Sequence, residues 1–302
     1  MIVVLTPNPA VDVTYRVAEQ RVGTTQRVLE VSRRPGGKGV NVARVLGGEG
    51  VPARCVLPLG GAAGTWVQEA LRDLGLEPTT VPLAGETRTT VTVVDDVAHP
   101  TMFGEPGPAV TPAEWAAVRD ALAGALRGAA AFVVAGSLPL GSDPGLVGDW
   151  VRTARDAGVL TVADLSGPAL LAAADAGASV CKPNVEELLG ATGAGSEAEG
   201  AADLLARGAG AVVVSRGVHG IAAHTRDGVC EVSAVPGVSG NATGAGDAAT
   251  AGLVLALTGG SPLPDALRRA AAFGAAAVLR PVAGEIDRAA AARFLDTTGS
   301  PA

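Results

Sequence analysis

The stretch Val238-Ser239-Gly240-Asn241-Ala242-Thr243-Gly244-Ala245-Gly246-Asp247, followed by the small, apolar run Ala248 to Leu257, reads as a glycine-rich turn opening a buried helix. A helix start leaves N–H groups without intrahelical partners and aligns them with the positive end of the macrodipole, which favours a phosphate or another anion. Asp247 falls in that first turn, beside the anion site. A single carboxylate next to amides suits a group that takes a proton from an attacking hydroxyl while the amides hold a transferring phosphoryl. The same letters admit a plainer reading, in which Asp247 is a favourable first-turn charge on an ordinary helix. They also match the loose dinucleotide pattern G-x-G-x-x-A from Gly244 to Ala249. The context differs: Asp265, in Ser261-Pro262-Leu263-Pro264-Asp265, sits at a helix start and not at the end of a following strand. Gly36-Gly37-Lys38-Gly39 lacks the Ser or Thr that a P-loop carries after its lysine.

Outward from this turn the chain repeats a strand-then-helix unit. Short apolar runs at Ile2 to Leu5, Arg54 to Leu57, Ala131 to Val134, Leu160 to Ala163, Ser179 to Cys181 and Ala211 to Val214 predict strands. Ala113 to Arg127, Leu146 to Ala157 and Glu197 to Arg207 have helical length and apolar spacing. The expected fold is α/β, a mostly parallel central sheet with helices on both faces, in a single domain spanning residues 1–302. Two segments break the pattern. Residues 11–32 and 87–103 carry β-rich alternation without a helix between strands, and predict a small second sheet that acts as a lid, a dimer surface or both.

Composition narrows the partners. With 48% hydrophobic residues the chain can bury a large core, and a formal net charge of −7 argues against a nucleic-acid or anionic-membrane surface. No apolar run reaches membrane-spanning length, and Met1 leads straight into Ile2-Val3-Val4-Leu5, so a cytoplasmic protein is expected. Cys55, Cys181 and Cys230 are scattered as reduced core thiols would be. His99, His219 and His224 show no zinc spacing, which leaves a hard cation carried in with phosphates as the expected metal. The end from Thr297 to Ala302 is expected to fray.

In a parallel α/β sheet the ligand lies beyond the carboxyl ends of the strands. After the first strand, Thr6-Pro7-Asn8-Pro9-Ala10-Val11-Asp12 places Asp12 past a rigid turn, where a carboxylate can accept from two sugar hydroxyls or simply cap the turn. Pro35-Gly36-Gly37-Lys38-Gly39-Val40-Asn41 sets a lysine among glycines at a helix start, suited to an anion. Arg88, in the second lid segment, can hold a phosphate bidentately. Gly136-Ser137-Leu138-Pro139 offers a hydroxyl at a strand end. Lys182-Pro183-Asn184-Val185-Glu186-Glu187 puts Asn184 and Glu187 on one helix face, suited to water-mediated Mg²⁺ or to a helix cap. Ser215-Arg216-Gly217-Val218-His219-Gly220 forms a tight turn on which a base or ribose can lie.

In this order the set Asn8-Pro9-Ala10-x-Asp12, Gly36-Gly37-Lys38-Gly39-x-Asn41-Val42-Ala43, Thr87-Arg88, Gly136-Ser137-Leu138-Pro139-x-Gly141, Lys182-Pro183-Asn184-x-x-Glu187-Leu188 and Gly244-Ala245-Gly246-Asp247 resembles the ribokinase-like (PfkB) carbohydrate kinases. Within them it is most similar to the 1-phosphofructokinase and tagatose-6-phosphate kinase branch. The resemblance implies ATP-dependent phosphorylation of a sugar phosphate, with Asp247 as base and the amides of Gly244, Ala245 and Gly246 as the anion hole. It implies sugar hydroxyls on Asp12, Gly37 and Asn41, and the acceptor's phosphate facing Lys38 and Arg88 with Ser137 and Arg27 assisting; the apolar alternation of the lid, separately, suggests a homodimer in which two lids meet or the closed pocket of a monomer. Lys182, Asn184 and Glu187 are then expected near the nucleotide phosphates and Mg²⁺, the last two holding the ion through water. Ser215, Gly217 and Gly220 line the nucleotide above the helix around 271–284, and K⁺ is a further cofactor the resemblance allows. The chain departs from the branch at the lid: Thr90 and Thr92 stand where Asn and Lys are usual, and Gly104 stands where Asn precedes Glu-x-Gly. An unphosphorylated sugar or nucleoside as acceptor, and a sugar-phosphate sensor without activity, are the alternatives these departures leave open.

Overall fold

The computed structural model describes residues 1–95 and 100–297, so His99 and the expected frayed tail beyond Thr297 lie outside the described residues. The chain begins with β1 (Ile2–Leu5), then leaves the main body in β2 (Ala10–Arg16) and β3 (Glu30–Gly36) before α1 (Lys38–Gly48) returns it. β4 (Ala53–Gly60), α2 (Gly61–Asp73) and β5 (Thr79–Leu83) follow, then a second excursion, β6 (Arg88–Val94) and β7 (Thr101–Gly104). Next come α3 (Pro112–Leu126), β8 (Ala131–Ala135), α4 (Gly145–Asp156), β9 (Leu160–Asp164), α5 (Gly167–Asp175), β10 (Val180–Cys181), α6 (Val185–Thr192), α7 (Glu197–Arg207) and β11 (Ala211–Ser215). A 3-10 turn at Gly217–His219 leads to β12 (Ile221–Thr225) and β13 (Gly228–Val232), and α8 (Ala245–Thr258), α9 (Leu263–Val278) and α10 (Arg288–Thr297) complete the described chain.

The large sheet has nine strands in the order β13-β12-β11-β10-β9-β8-β1-β4-β5, parallel from β5 to β11 and antiparallel across β12 and β13. Period-two alternation splits its side chains between two cores: Ile2 and Val4 pack with α1, α2, α8, α9 and α10, whereas Val3 and Leu5 pack with α3 to α7. Both faces are thus covered, as a parallel sheet requires. α8 is apolar around almost its whole circumference and is buried accordingly, with Ala248, Ala251, Leu253 and Val254 at zero exposure.

The expected helices and strands agree with the observed ones within a few residues. Three differences matter. β5 contains Pro82, which weakens its strand signal and suits the edge position it takes. The pair β12–β13 forms the other, antiparallel edge. β9 runs one residue beyond the expected Ala163, to Asp164, so a carboxylate ends a central strand.

The lid is a four-stranded mixed sheet in the order β3-β2-β6-β7, with β2 and β6 parallel and the outer pairs antiparallel. It spans residues 10–36 and 88–104, slightly wider than expected. Val11 and Val13 join the core with Val67 of α2, and Val91 packs against it. Strand alternation then turns Asp12, its opposite neighbours Arg34 and Thr90, and Gly104 opposite Thr90, onto the other face. The apolar root of the lid therefore fixes which polar residues overhang the sheet's carboxyl ends.

α8 and α9 approach closely at Gly252, where a Cβ would lie 2.8 Å from the Arg269 carbonyl oxygen and 3.0 Å from the Phe273 ring. Gly252→Ala should lower stability by about 1–3 kcal/mol through overpacking, measured as a reduced melting temperature; an unchanged melting temperature would show that the helices separate freely.

Candidate active site

Gly244 caps α8 in the left-handed region, at φ 82°, and no side chain caps the helix start. The turn is pressed against the chain after α9: a Cβ on Gly244 would lie 2.6 Å from Ala283 Cβ. Of the amides assigned by resemblance, Ala245 N–H is already used, donating to Ala242 O at 3.1 Å, which corrects that expectation. The first-turn N–H groups of Gly246 and Asp247 point along the helix axis towards its start and form the uncapped donors.

Asp247 is 6% exposed and accepts a hydrogen bond from Asn41 Nδ2 at 2.8 Å. Burial, reinforced by the negative charge of Asp164, pushes its pKa up to about 7, against the opposing pull of Asn41, Lys38 and Lys182. A carboxylate poised there can take up a proton near neutral pH.

Asp164, at the end of β9, is the neighbour that the sequence reading missed. Lys182 Nζ lies 3.1 Å from its Oδ2 and Lys38 Nζ 3.2 Å from its Oδ1, and the Thr250 hydroxyl donates to Oδ2 at 2.5 Å. Burial acts to raise its pKa, but Lys182, Lys38 and Thr250 outweigh that and hold it at about 2. Its signal in the sequence was an acid directly after an apolar strand, legible once the strand is extended by one residue.

Both lysines are held by carboxylates. Lys182 is buried, and its charge is spent on Asp164, not displayed to a nucleotide. Lys38 bridges Asp164 and Glu187, with Nζ 2.7 Å from Glu187 Oε1, so it sits on the carboxylate side of the site. Burial lowers its proton affinity, yet Asp164 and Glu187 hold it well above the usual lysine range.

Asn184 and Glu187 form a capping box on α6. Asn184 Oδ1 accepts from Glu187 N at 2.7 Å, and Glu187 Oε2 accepts from Asn184 N at 3.0 Å. The cap and the ion reading are compatible for Glu187, whose second oxygen faces Lys38. Among the described residues no group of three or more His, Cys, Asp or Glu could hold a metal by itself. Asp164 is not available to a cation, since Lys38, Lys182 and Thr250 occupy both its oxygens, and Asn184 Oδ1 is committed to the cap, which leaves the partly exposed Glu187 as the carboxylate suited to an ion that keeps most of its waters, as Mg²⁺ does.

Ser215, Gly217 and Gly220 meet in one turn. Arg216 N donates to Gly220 O at 2.8 Å, and an isolated bridge joins Ser215 to Asn184, bringing the turn alongside the capping box. The Arg216 guanidinium forks onto Glu197 at 2.8 and 2.7 Å, and His224 Nε2 lies 2.7 Å from the same carboxylate. Gly220 cannot be replaced freely, since a Cβ would lie 2.1 Å from Val232 O.

On the lid side Asp12 is half-buried and pressed against Gly36, where a Cβ would lie 2.1 Å from the carboxyl carbon. Burial raises its pKa to about 6, opposed by the charges of Arg88 and Arg44 and by hydrogen bonds from Gly37 N–H and Thr90. Arg88 donates to Asn8 O at 3.1 Å and Glu105 O at 3.0 Å, main-chain acceptors that leave it outside any ion pair among the described residues, beside a cleft of about 500 Å³ lined by Glu105 and Pro106. Asn8 Nδ2 donates to Ser137 Oγ at 3.4 Å, tying that strand end to the same side. Arg27 is exposed in the β2–β3 connection and is not drawn into this cluster. Another cleft, of about 490 Å³ beside Trp115 and Trp150, lies away from these groups.

Uncapped amides and a buried carboxylate thus meet at the carboxyl end of the parallel sheet. The chain belongs to the pfkB family carbohydrate kinases, whose profile matches residues 6–289. It is 36% identical over 280 residues to the 1-phosphofructokinase of Rhodobacter capsulatus, covering 90% of this chain and 88% of that one. It is 33% identical over 311 residues to ATP-dependent 6-phosphofructokinase isozyme 2 of Mycobacterium tuberculosis, covering 99% and 90%. The tetrameric inhibited form of phosphofructokinase-2 from Escherichia coli superposes with a TM-score of 0.91 at 27% identity, covering 99% of each chain. The chain is a carbohydrate kinase, an enzyme that moves a phosphoryl group to an alcohol.

Asp247 accepts a proton only when ionised, so kcat/KM should fall as pH drops below about 7. Asn41→Leu removes a donor that favours the charged form and should move that acidic limb upward by about one unit or less. Folded Asp247 keeps its proton to a higher pH than the unfolded chain does, so its contribution to stability declines as pH rises from 3.8 to about 7. Asp247→Asn should therefore raise the melting temperature more at pH 8 than at pH 5. An acidic limb near pH 4 with no such difference in melting would remove Asp247 as the titrating base.

Proposed function

We propose that this kinase transfers the γ-phosphoryl group of MgATP to a primary hydroxyl of a ketohexose phosphate, and that the acceptor is fructose 1-phosphate, giving fructose 1,6-bisphosphate. The observation that carries the reading is the buried Asp247 beside the uncapped start of α8, with the Arg88 guanidinium, hydrogen-bonded to main-chain carbonyls and held in no ion pair among the described residues, on the lid side. The relative named 1-phosphofructokinase supports the acceptor.

In the proposed reaction Asp247 accepts the proton of the acceptor hydroxyl as its oxygen bonds to the γ-phosphorus. The bond to the bridging oxygen breaks in line, and ADP leaves with that electron pair. The Gly246 and Asp247 amides hold charge on the transferring group, and Asn41 fixes the Asp247 carboxylate. Asp12 and the Gly37 turn orient sugar hydroxyls, Arg88 holds the acceptor's phosphate, and the lid's polar face excludes water. The turn of Ser215, Gly217 and Gly220 carries the nucleoside. Glu187, with Asn184 beside it, would hold Mg²⁺ through its waters, and the ion would supply charge neutralisation on the nucleotide phosphates. Operation in the cytoplasm belongs to the same reading, supported by ATP as donor; among the described residues no helix is long and apolar enough to cross a membrane.

A coupled ADP-release assay with MgATP, with and without K⁺, against fructose 1-phosphate, fructose 6-phosphate, tagatose 6-phosphate, fructose, ribose and adenosine tests the acceptor. Asp247→Asn should cut turnover by about two to four decades with nucleotide affinity retained, and Arg88→Ala should raise the KM of the sugar phosphate alone. Turnover confined to unphosphorylated acceptors would overturn the role of Arg88, in line with the altered lid positions Thr90, Thr92 and Gly104. Silence on every acceptor would favour the sensor.

The lid also leaves Leu29, Val31, Met102 and Phe103 between 51 and 66% exposed. Exposed apolar side chains at both edges of this small sheet support a homodimer in which two lids meet. Phe103→Asp should convert the dimer to a monomer by light scattering, and an unchanged mass would place the interface elsewhere.

A further inference from the structure

Asp12 lies among arginines and pairs with none of them. Arg34 stands directly opposite it on β3, on the same face of the lid, at a separation where a carboxylate and a guanidinium ordinarily join. Arg44 and Arg88 are near enough for their charges to act on it. Among the described residues Asp12 nevertheless has no ion pair, and Arg34 and Arg44 are both engaged by another acid. Arg34 Nη1 donates to Glu285 Oε1 at 2.8 Å, and Arg44 Nη2 approaches the same oxygen at 3.3 Å. Arg280 Nη2 donates to Glu285 Oε2 at 2.9 Å. Arg88 Nε and Nη1 donate to main-chain carbonyls.

The placement of Glu285 is tightly determined. It follows Gly284, where a Cβ would lie 2.7 Å from Arg44 Nη1 and 3.1 Å from Asn41 Oδ1. Arg44 Nη1 donates to Ala283 O at 2.9 Å, so the chain beside Glu285 also restrains that guanidinium. Arg44 is 9% exposed and cannot satisfy its charge in water. Without Glu285, Asp12 becomes the acid facing Arg34 in register, and a forked pair would occupy the lone pairs that sugar hydroxyls need.

We propose that Glu285 is a positioning residue for acceptor recognition: by holding Arg34 and Arg44 it keeps the Asp12 carboxylate open to sugar hydroxyls. This rests on the reading of Asp12 as the acceptor's hydroxyl partner. It gives Glu285, far from Asp12 in the chain, a role in substrate affinity without any contact with substrate.

The test is steady-state kinetics with MgATP and the fastest acceptor of the panel above, fructose 1-phosphate being expected. Glu285→Gln should raise the acceptor KM about tenfold, the scale of one charge-assisted hydrogen bond, with kcat and the ATP KM within about twofold of the parent. Arg34→Gln alone should leave the acceptor KM near the parent value, and Glu285→Gln with Arg34→Gln should recover most of the loss. Should Glu285→Gln fail to fold, Glu285→Asp carries the test, its shorter reach raising the acceptor KM about two- to threefold at an unchanged melting temperature. An unchanged acceptor KM in a folded Glu285 variant, or a loss on both substrates that removing Arg34 does not relieve, would overturn the proposal. Asp12→Asn separates the two readings: if it leaves the acceptor KM unchanged, the role of Asp12 fails, whereas an impaired Asp12→Asn beside an unaffected Glu285→Gln refutes the role of Glu285 alone.

Discussion

Much of the site hangs on the charge of Asp164. An ionised carboxylate buried at the end of a central strand would cost several kcal/mol if left unpaired. Lys182 from the end of β10, Lys38 from the start of α1 and the Thr250 hydroxyl on α8 converge to hold it charged. Three elements are thereby locked to one atom pair. The same fixed negative charge helps raise the proton affinity of Asp247. A single buried acid sets both where Lys38 points and how strong a base its neighbour is.

The lid adds a second constraint of a different kind. Its strands are anchored by Val11 and Val13 in the core, and period-two alternation leaves no choice about what faces the site. Asp12, Arg34 and Thr90 come to one surface because Val11, Val13 and Val91 must go to the other. Close approach then does the rest. Gly36 admits the Asp12 carboxylate, Gly244 admits Ala283, and Gly284 admits Arg44 and Asn41. With a Cβ at any of these glycines the lid, the helix start and the loop after α9 would be forced apart.

These two constraints meet in α1. Its first residue, Lys38, belongs to the Asp164 cluster, Asn41 one turn on holds Asp247, and Arg44 a further turn on reaches Glu285 and Ala283. One helical face thus connects the phosphoryl-transfer side to the acceptor side, which explains why an asparagine and an arginine are buried on a helix otherwise lined by Val40, Val42, Val45 and Leu46.

The sequence by itself determined the alternation of strand and helix, the two-part lid, the glycine turn and the identity of Asp247, Asp12, Asn41 and Arg88 as site residues worth inspecting. Each of these rests on local chemistry: periodicity, a helix start, or an acid beside glycines. Tertiary structure alone decided the partners. Lys38 and Lys182 look alike as lysines at strand or helix ends, and only the convergence of β9, β10 and α1 turns both towards Asp164. Ala245 offers an amide in the motif, and only the folded turn shows it donating to Ala242. Glu285 carries no local signal, because what it does depends on arginines drawn from β3, α1 and the end of α9. Charges separated by more than two hundred residues share one pocket through packing, and no spacing along the chain encodes that.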